Sequence, residues 1–107
     1  YHPISVATSN PAAEHHDVVV GGPLCESGDI FTQEEGGFVA KRSLPYANVG
    51  DYLIIECAGA YGFVMSSNYN SKPMAAEVLI QDGQAHQVRA RQSYEDLLRG
   101  ESIPTRN

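Results

Sequence analysis

The residues best equipped for chemistry lie in Gly22-Pro23-Leu24-Cys25-Glu26-Ser27-Gly28-Asp29, where a thiol stands beside two carboxylates. Neighbouring negative charge keeps a cysteine protonated near neutral pH, so Cys25 is a candidate proton donor. On spacing alone the blander reading, a small buried residue at a turn, stays open. A second segment, Ala58-Gly59-Ala60-Tyr61-Gly62-Phe63, sets one tyrosine among small neighbours. Backbone or ligand can then come close to the ring and hydroxyl of Tyr61. The alternative there is a core tyrosine whose hydroxyl meets a carbonyl. The third segment is the polar stretch 66–73, SSNYNSKP, which contains Tyr69. It is either a plain connection or a loop that lines an interface. The common motifs of phosphate, metal and hydrolase sites are absent: no Walker loop, GxGxxG, HExxH or GxSxG occurs. The four histidines (His2, His15, His16, His86) lack metal-ligand spacing, so no metal is expected. His15-His16 reads as solvated surface. Lys41 and Lys72 read as solvated too, unlike the desolvated, fixed amine that a Schiff base needs.

Short β elements must position these residues. Residues 3–8 predict a strand and 9–16 a polar loop. Val18 to Leu24 is a β-branched run that ends in Gly-Gly-Pro, a strand entering a sharp bend just before Cys25. Phe38 to Leu44 has strand propensity, and 45–51 has turn chemistry. Tyr52 to Ala58 (YLIIECA) reads as a buried strand with Cys57 as a small buried hydrophobe, and 63–65 as its continuation. Residues 76–81 and 84–91, joined by Asp82-Gly83, predict a hairpin with a type I′ turn. Ser93 to Leu98 predicts a short helix with Ser93 as N-cap, Asp96 completing an imperfect capping box, and Gly100 as the stop. Six or seven short strands and one terminal helix favour an all-β, mainly antiparallel barrel or sandwich. The area laws allow about 65% of the surface to be buried, enough for one modest core.

The net charge is −6, from 13 acids against 7 bases, which argues against nucleic acid as the main partner. No apolar run is long enough to span a bilayer and nothing resembles a signal peptide. Cys25 and Cys57 lie too far apart for a CxxC motif, and two cysteines do not make a disulfide framework; a reduced, cytoplasmic setting is expected. The chain opens Tyr1-His2-Pro3 and has only Met65 and Met74, which suggests a piece of a longer polypeptide.

Taken together and in this order, the segments resemble the C-terminal domain of diaminopimelate decarboxylases. The resemblance rests on GPLCESGDIFTQ (22–33), VGDYLIIECAGAYGFVMSSNYNSKP (49–73), AAEVLI (75–80) and RQSYEDLL (91–98), with the opening YHPI also similar. It covers nearly the whole chain, residues 1–107, as a single C-terminal β-barrel domain. Ornithine and arginine decarboxylases share that architecture but usually carry Asp after the corresponding cysteine, where this chain has Glu26. Lys72 stands where many relatives carry Arg, a change that loses bidentate geometry.

The resemblance implies a pyridoxal 5′-phosphate enzyme that converts meso-diaminopimelate to L-lysine and CO2. It further implies an N-terminal (β/α)8 barrel of the same enzyme, which binds most of the cofactor, and a homodimer with each active site shared between subunits. Cys25 resembles the proton donor, delivered to the partner's site. Glu26 resembles the residue that binds the distal ammonium of the amino acid substrate. Tyr61 resembles the tyrosine that meets the cofactor phosphate and the substrate, and Asp29 takes a supporting part. The chemistry suits these types: the cofactor carries electrons, and the protein supplies orientation and a proton. Two rival readings are a decarboxylase domain for another basic amino acid and a stand-alone, non-catalytic β-barrel binding module.

Overall fold

Strand-forming residues pair two by two along the chain in the computed structural model, which describes residues 2–8, 10 and 13–106. Tyr1 and Asn107 lie outside the described residues, as do Ser9, Pro11 and Ala12 of the expected 9–16 loop. The chain forms two compact units, Tyr1–Met65 and Ser66–Asn107. No helix among the described residues is long and apolar enough to cross a membrane.

The first unit holds β1 (Ile4–Ala7), β2 (His15–Val18), β3 (Arg42–Pro45) and β4 (Tyr52–Ile55). β1 pairs with β4 and β2 with β3, both antiparallel. The second unit is the hairpin of β5 (Glu77–Gln81) and β6 (Gln84–Arg89), followed by helix α1 (Tyr94–Leu97). Antiparallel strands with one short C-terminal helix are the class read from the sequence. Each ladder stays two-stranded among the described residues.

Where local chemistry dictates structure, expectation and structure agree. Asp82 and Gly83 both take positive φ, 50° and 73°, as a type I′ turn requires. Ser93 caps α1 with a complete capping box: its hydroxyl accepts from Asp96 N at 3.3 Å, and Asp96 Oδ2 accepts from Ser93 N at 2.8 Å. Gly100 has φ 84°, the left-handed stop.

Where pairing decides, they differ. β2 starts at His15, inside the expected loop, because His15 and His16 align with Pro45 and Leu44 of β3. The His16 ring also tilts against Tyr46 at 5.3 Å between centroids. The Val-rich run leaves its ladder after Val18, and Gly21 instead bridges to Ile30. Of the expected strand 38–44 only 42–44 is regular, Pro45 joins it from the expected turn, and Val39 is bridged singly to Gln33. β4 stops at Ile55 and turns, so Cys57 is exposed with φ 54° rather than buried in a strand. Phe63–Met65 is a 3-10 turn, not a strand continuation.

The core is smaller than expected. Among the described residues Val20 and Leu44 are the buried hydrophobics, and Thr32 is fully buried, its hydroxyl accepting from Val20 N at 3.0 Å. The accessible surface is 8937 Å², against roughly 5,800 Å² for a self-contained chain of this size. Two-stranded ladders explain the difference, because each leaves an apolar face without a covering layer. Val78, Leu79, Ile80 and Val88 of the hairpin are all exposed.

Candidate functional site

Cys25 and Glu26 sit on the loop 23–28, at the end of a short hairpin-like approach of two chain segments. Gly21 bridges to Ile30, Phe31 N donates to Val20 O at 2.8 Å, and Gly22 N donates to Asp29 O at 2.8 Å. Within the loop Asp29 N donates to Glu26 O at 3.1 Å and Ile30 N to Gly28 O at 2.8 Å. Asp29 closes it a second way, its Oδ2 accepting from Leu24 N at 2.9 Å. Its carboxyl group lies where a Cβ at position 22 would fall, so only glycine fits there. Cys25 and Glu26 are exposed, while Asp29 is half-buried. Glu26 Oε1 accepts from Gly28 N at 3.0 Å and from the Ser27 hydroxyl at 3.4 Å, so its carboxylate curls onto its own loop.

Tyr61 occupies a second tight turn. Ala58 O accepts from Phe63 N at 2.7 Å and Gly59 O from Val64 N at 3.2 Å. A Cβ at Gly62 would run into the Ala58 carbonyl, which explains the glycine after the tyrosine. Tyr61 itself has φ 58°, a conformation that costs a non-glycine residue roughly 1 kcal/mol or more and is held by the surrounding turn. Tyr61 is 82% exposed, so within this chain it is not a core residue. Tyr61, Gly62 and Ala58 line a hollow of about 270 Å³ with Ile30, Phe31 and Gln33. Ile30 and Phe31 follow directly from the loop that carries Cys25. The structure thus brings Tyr61 beside the segment leaving that loop. Cys25 and Glu26 are not part of the hollow's lining.

One contributor escaped the sequence reading and another was underrated. Arg42 ties this region together, its guanidinium donating to the carbonyls of His2 and Phe31. Nothing in its spacing signals that, because the partners come from distant segments. Asp29, read only as supporting, proves to be the closing residue of the loop; the signal was Gly-Gly seven positions upstream.

In the second unit Asn70 and Ser71 take left-handed φ of 55° and 56° within the polar loop 66–73. Gln92 Oε1 accepts from Asn68 Nδ2 and from Met74 N at 2.8 Å, which pins the loop ends. Lys72 is exposed, and its carbonyl accepts from Asn68 Nδ2 at 2.9 Å.

The donor set decides what cofactor role fits. An exposed phenol on a fixed turn suits one oxygen of a phosphate group. Lys41 and Lys72 are exposed, and neither belongs to the lining of the hollow beside Tyr61. No group of three or more metal-binding side chains occurs among the described residues.

Comparison with known proteins supplies the context. Residues 1–59 match the family model described as "Pyridoxal-dependent decarboxylase, C-terminal sheet domain". Diaminopimelate decarboxylase of Escherichia coli (strain K12) is 52% identical over 92% of this chain and 24% of its own length. That of Methanothermobacter thermautotrophicus is 45% identical over 99% of this chain and 23% of its own length. A crystal structure of diaminopimelate decarboxylase superposes with a TM-score of 0.84 at 53% identity, covering 92% of this chain and 24% of that one. The M. jannaschii enzyme in complex with L-lysine superposes with a TM-score of 0.81 at 34% identity, over 97% of this chain and 22% of that one. The chain spans about a quarter of the length of the relatives it matches. With its antiparallel ladders, terminal helix and tight Cys-Glu loop, this chain belongs to the C-terminal sheet domain family of the pyridoxal-dependent decarboxylases.

Proposed function

We propose that residues 1–107 form the C-terminal domain of a diaminopimelate decarboxylase, which converts meso-2,6-diaminopimelate to L-lysine and CO2. One observation carries this reading: the chain is 52% identical, over 92% of its length, to a relative named for that activity. Pyridoxal phosphate, when bound, would supply the electron sink that takes up the electron pair left behind as CO2 departs. This chain's residues do the rest. Cys25 gives its Sγ proton to the carbon that lost CO2, and solvent returns a proton to the thiolate. Glu26 turns its carboxylate from Gly28 N toward the distal ammonium of the substrate, a charge-assisted bond that rewards a dibasic substrate. The Tyr61 hydroxyl donates to a phosphate oxygen of the cofactor. The exposure of Cys25, Glu26 and Tyr61 supports a site completed by other polypeptide: an N-terminal (β/α)8 barrel of the same enzyme and the second subunit of a homodimer. Most of the cofactor's contacts belong to that barrel, because this chain, about a quarter of the length of its relatives, offers the cofactor only the Tyr61 hydroxyl. Two cysteines present as thiols support a cytoplasmic location.

The test is a decarboxylation assay of the full-length parent on meso-diaminopimelate, lysine, ornithine and arginine. Turnover on diaminopimelate far above the other three is expected. Preference for ornithine or arginine overturns the substrate assignment, and no turnover on any of the four overturns the activity.

A further inference from the structure

The Cys-Glu loop is held by one side chain whose position depends on a missing one. Asp29 Oδ2 accepts from Leu24 N at 2.9 Å, the residue just before Cys25. Its backbone N–H donates to the carbonyl of Glu26 at 3.1 Å, the residue just after Cys25. Its own carbonyl accepts from Gly22 N at 2.8 Å. One residue therefore bonds the chain on both sides of the thiol and at the base of the loop. The carboxyl group reaches Leu24 only because Gly22 has no Cβ to occupy the same space. Asp29 is half-buried, whereas Cys25 to Gly28 at the tip are exposed. A loop whose tip is exposed and whose neck is bonded three ways keeps its tip in one place without covering it.

We infer that Asp29 is the positioning residue for Cys25 and Glu26, and that Gly22 acts with it as a single latch. The inference rests on the proposed roles of Cys25 and Glu26 for its catalytic consequence, but its geometric content stands apart from them. Proton delivery depends steeply on placement; a displacement of about 1 Å can cost on the order of 100-fold in rate. The latch predicts a specific pattern across variants. Asp29→Asn keeps a carbonyl oxygen where Leu24 N points, so it should behave like wild type. Asp29→Ala removes the acceptor and should free the loop. Gly22→Ala should expel the same carboxyl group and produce the same defect. Because both changes break one latch, the double variant should be little worse than either single one.

The experiment uses the full-length holoenzyme and two readouts. The first is the rate of iodoacetamide alkylation at Cys25, followed by peptide mass spectrometry, which needs no turnover. Asp29→Ala and Gly22→Ala should each change it by about threefold or more, in the same direction, with Asp29→Asn within about twofold of wild type. The second is the split between kcat and KM per folded, cofactor-loaded active site. Asp29→Ala should lower kcat about tenfold or more and raise KM, while cofactor Kd stays unchanged. Wild-type alkylation in Asp29→Ala overturns the latch. So does a fully additive double variant. Should Asp29→Ala not fold, Asp29→Glu carries the test, since its longer side chain meets the same crowding at Gly22; wild-type alkylation there overturns the latch equally. If alkylation shifts as expected while Cys25→Ala retains normal turnover, the latch stands and the proton-donor role of Cys25 fails.

Discussion

Cys25 and Cys57 differ in setting although both are exposed, and that difference is testable residue by residue. Cys25 lies on the latched loop, and Cys57 lies in a left-handed turn after β4. In the full-length enzyme Cys25→Ala should keep fold and cofactor while turnover falls by about 10²–10⁴-fold, the usual contribution of a general acid. Cys57→Ala should leave turnover nearly intact. Steady-state rates and thermal unfolding on the same samples decide; lowered stability with normal specific activity in Cys25→Ala would make that thiol a packing residue. Glu26→Gln should raise KM for diaminopimelate by about 10- to 150-fold, the loss of one charge-assisted bond. An unchanged kcat/KM would reduce Glu26 to a loop-capping role, which its bond from Gly28 N already gives it. Tyr61→Phe keeps the ring on its turn and removes only the hydroxyl. Cofactor Kd should rise by about 10- to 150-fold with little change in stability, since a ring this exposed has no buried bond to lose. Cofactor titration of the dimer, with apo unfolding alongside, measures both.

Among the elements, α1 carries a built-in sensitivity to acid. The Asp96 carboxyl is held below the ordinary carboxylate range, first by the Ser93 backbone N–H, then by the Ser93 hydroxyl and the Arg99 guanidinium. A carboxylate whose folded pKa is depressed adds stability above its unfolded pKa, near 3.8. That contribution is lost as pH falls through the lower folded value. Protection of the first-turn amides of α1, taken relative to the intrinsic exchange rate at each pH, should therefore fall below about pH 4, and Asp96→Asn should abolish the transition. Ser93→Ala should cost about 1 kcal/mol of local stability yet keep most of the acid transition, because the backbone donor remains. Protection that stays constant with pH in the native sequence would show that the box does not hold α1. The sequence spelled this element well: Ser93 and Asp96 are three residues apart, and their bonds need no other segment.

For the whole molecule, surface is the governing quantity. A chain with 8937 Å² exposed buries roughly half of what its unfolded form exposes, rather than about 65%. Val20 and Leu44 cannot by themselves make a cooperative core. Purified alone, residues 1–107 should bind a hydrophobic dye, unfold over a broad temperature range and have no decarboxylase activity. The full-length parent should unfold sharply without binding the dye. A sharp, dye-free transition in the isolated segment would show that its exposed apolar faces need no covering layer.

Features that short-range chemistry controls are legible in the residues alone. Asp82-Gly83 permits the paired positive φ values of its hairpin, Ser93 caps α1, and Gly62 makes room for the Ala58 carbonyl beside Tyr61. The sequence also marked Cys25, Glu26 and Tyr61 as the residues to watch. Tertiary structure alone decided where β2 begins, because His15-His16 become strand only when Leu44 and Pro45 lie alongside. It decided that β4 ends before Cys57, and that Arg42 reaches the carbonyls of His2 and Phe31. It made Asp29 a latch rather than one more acid in a polar turn, because the fit of its carboxyl group against Gly22 exists only once the two segments meet. The physical division is one of range: turns and caps close within a few residues of chain, whereas ladders, burial and close approach depend on segments that sequence order leaves far apart.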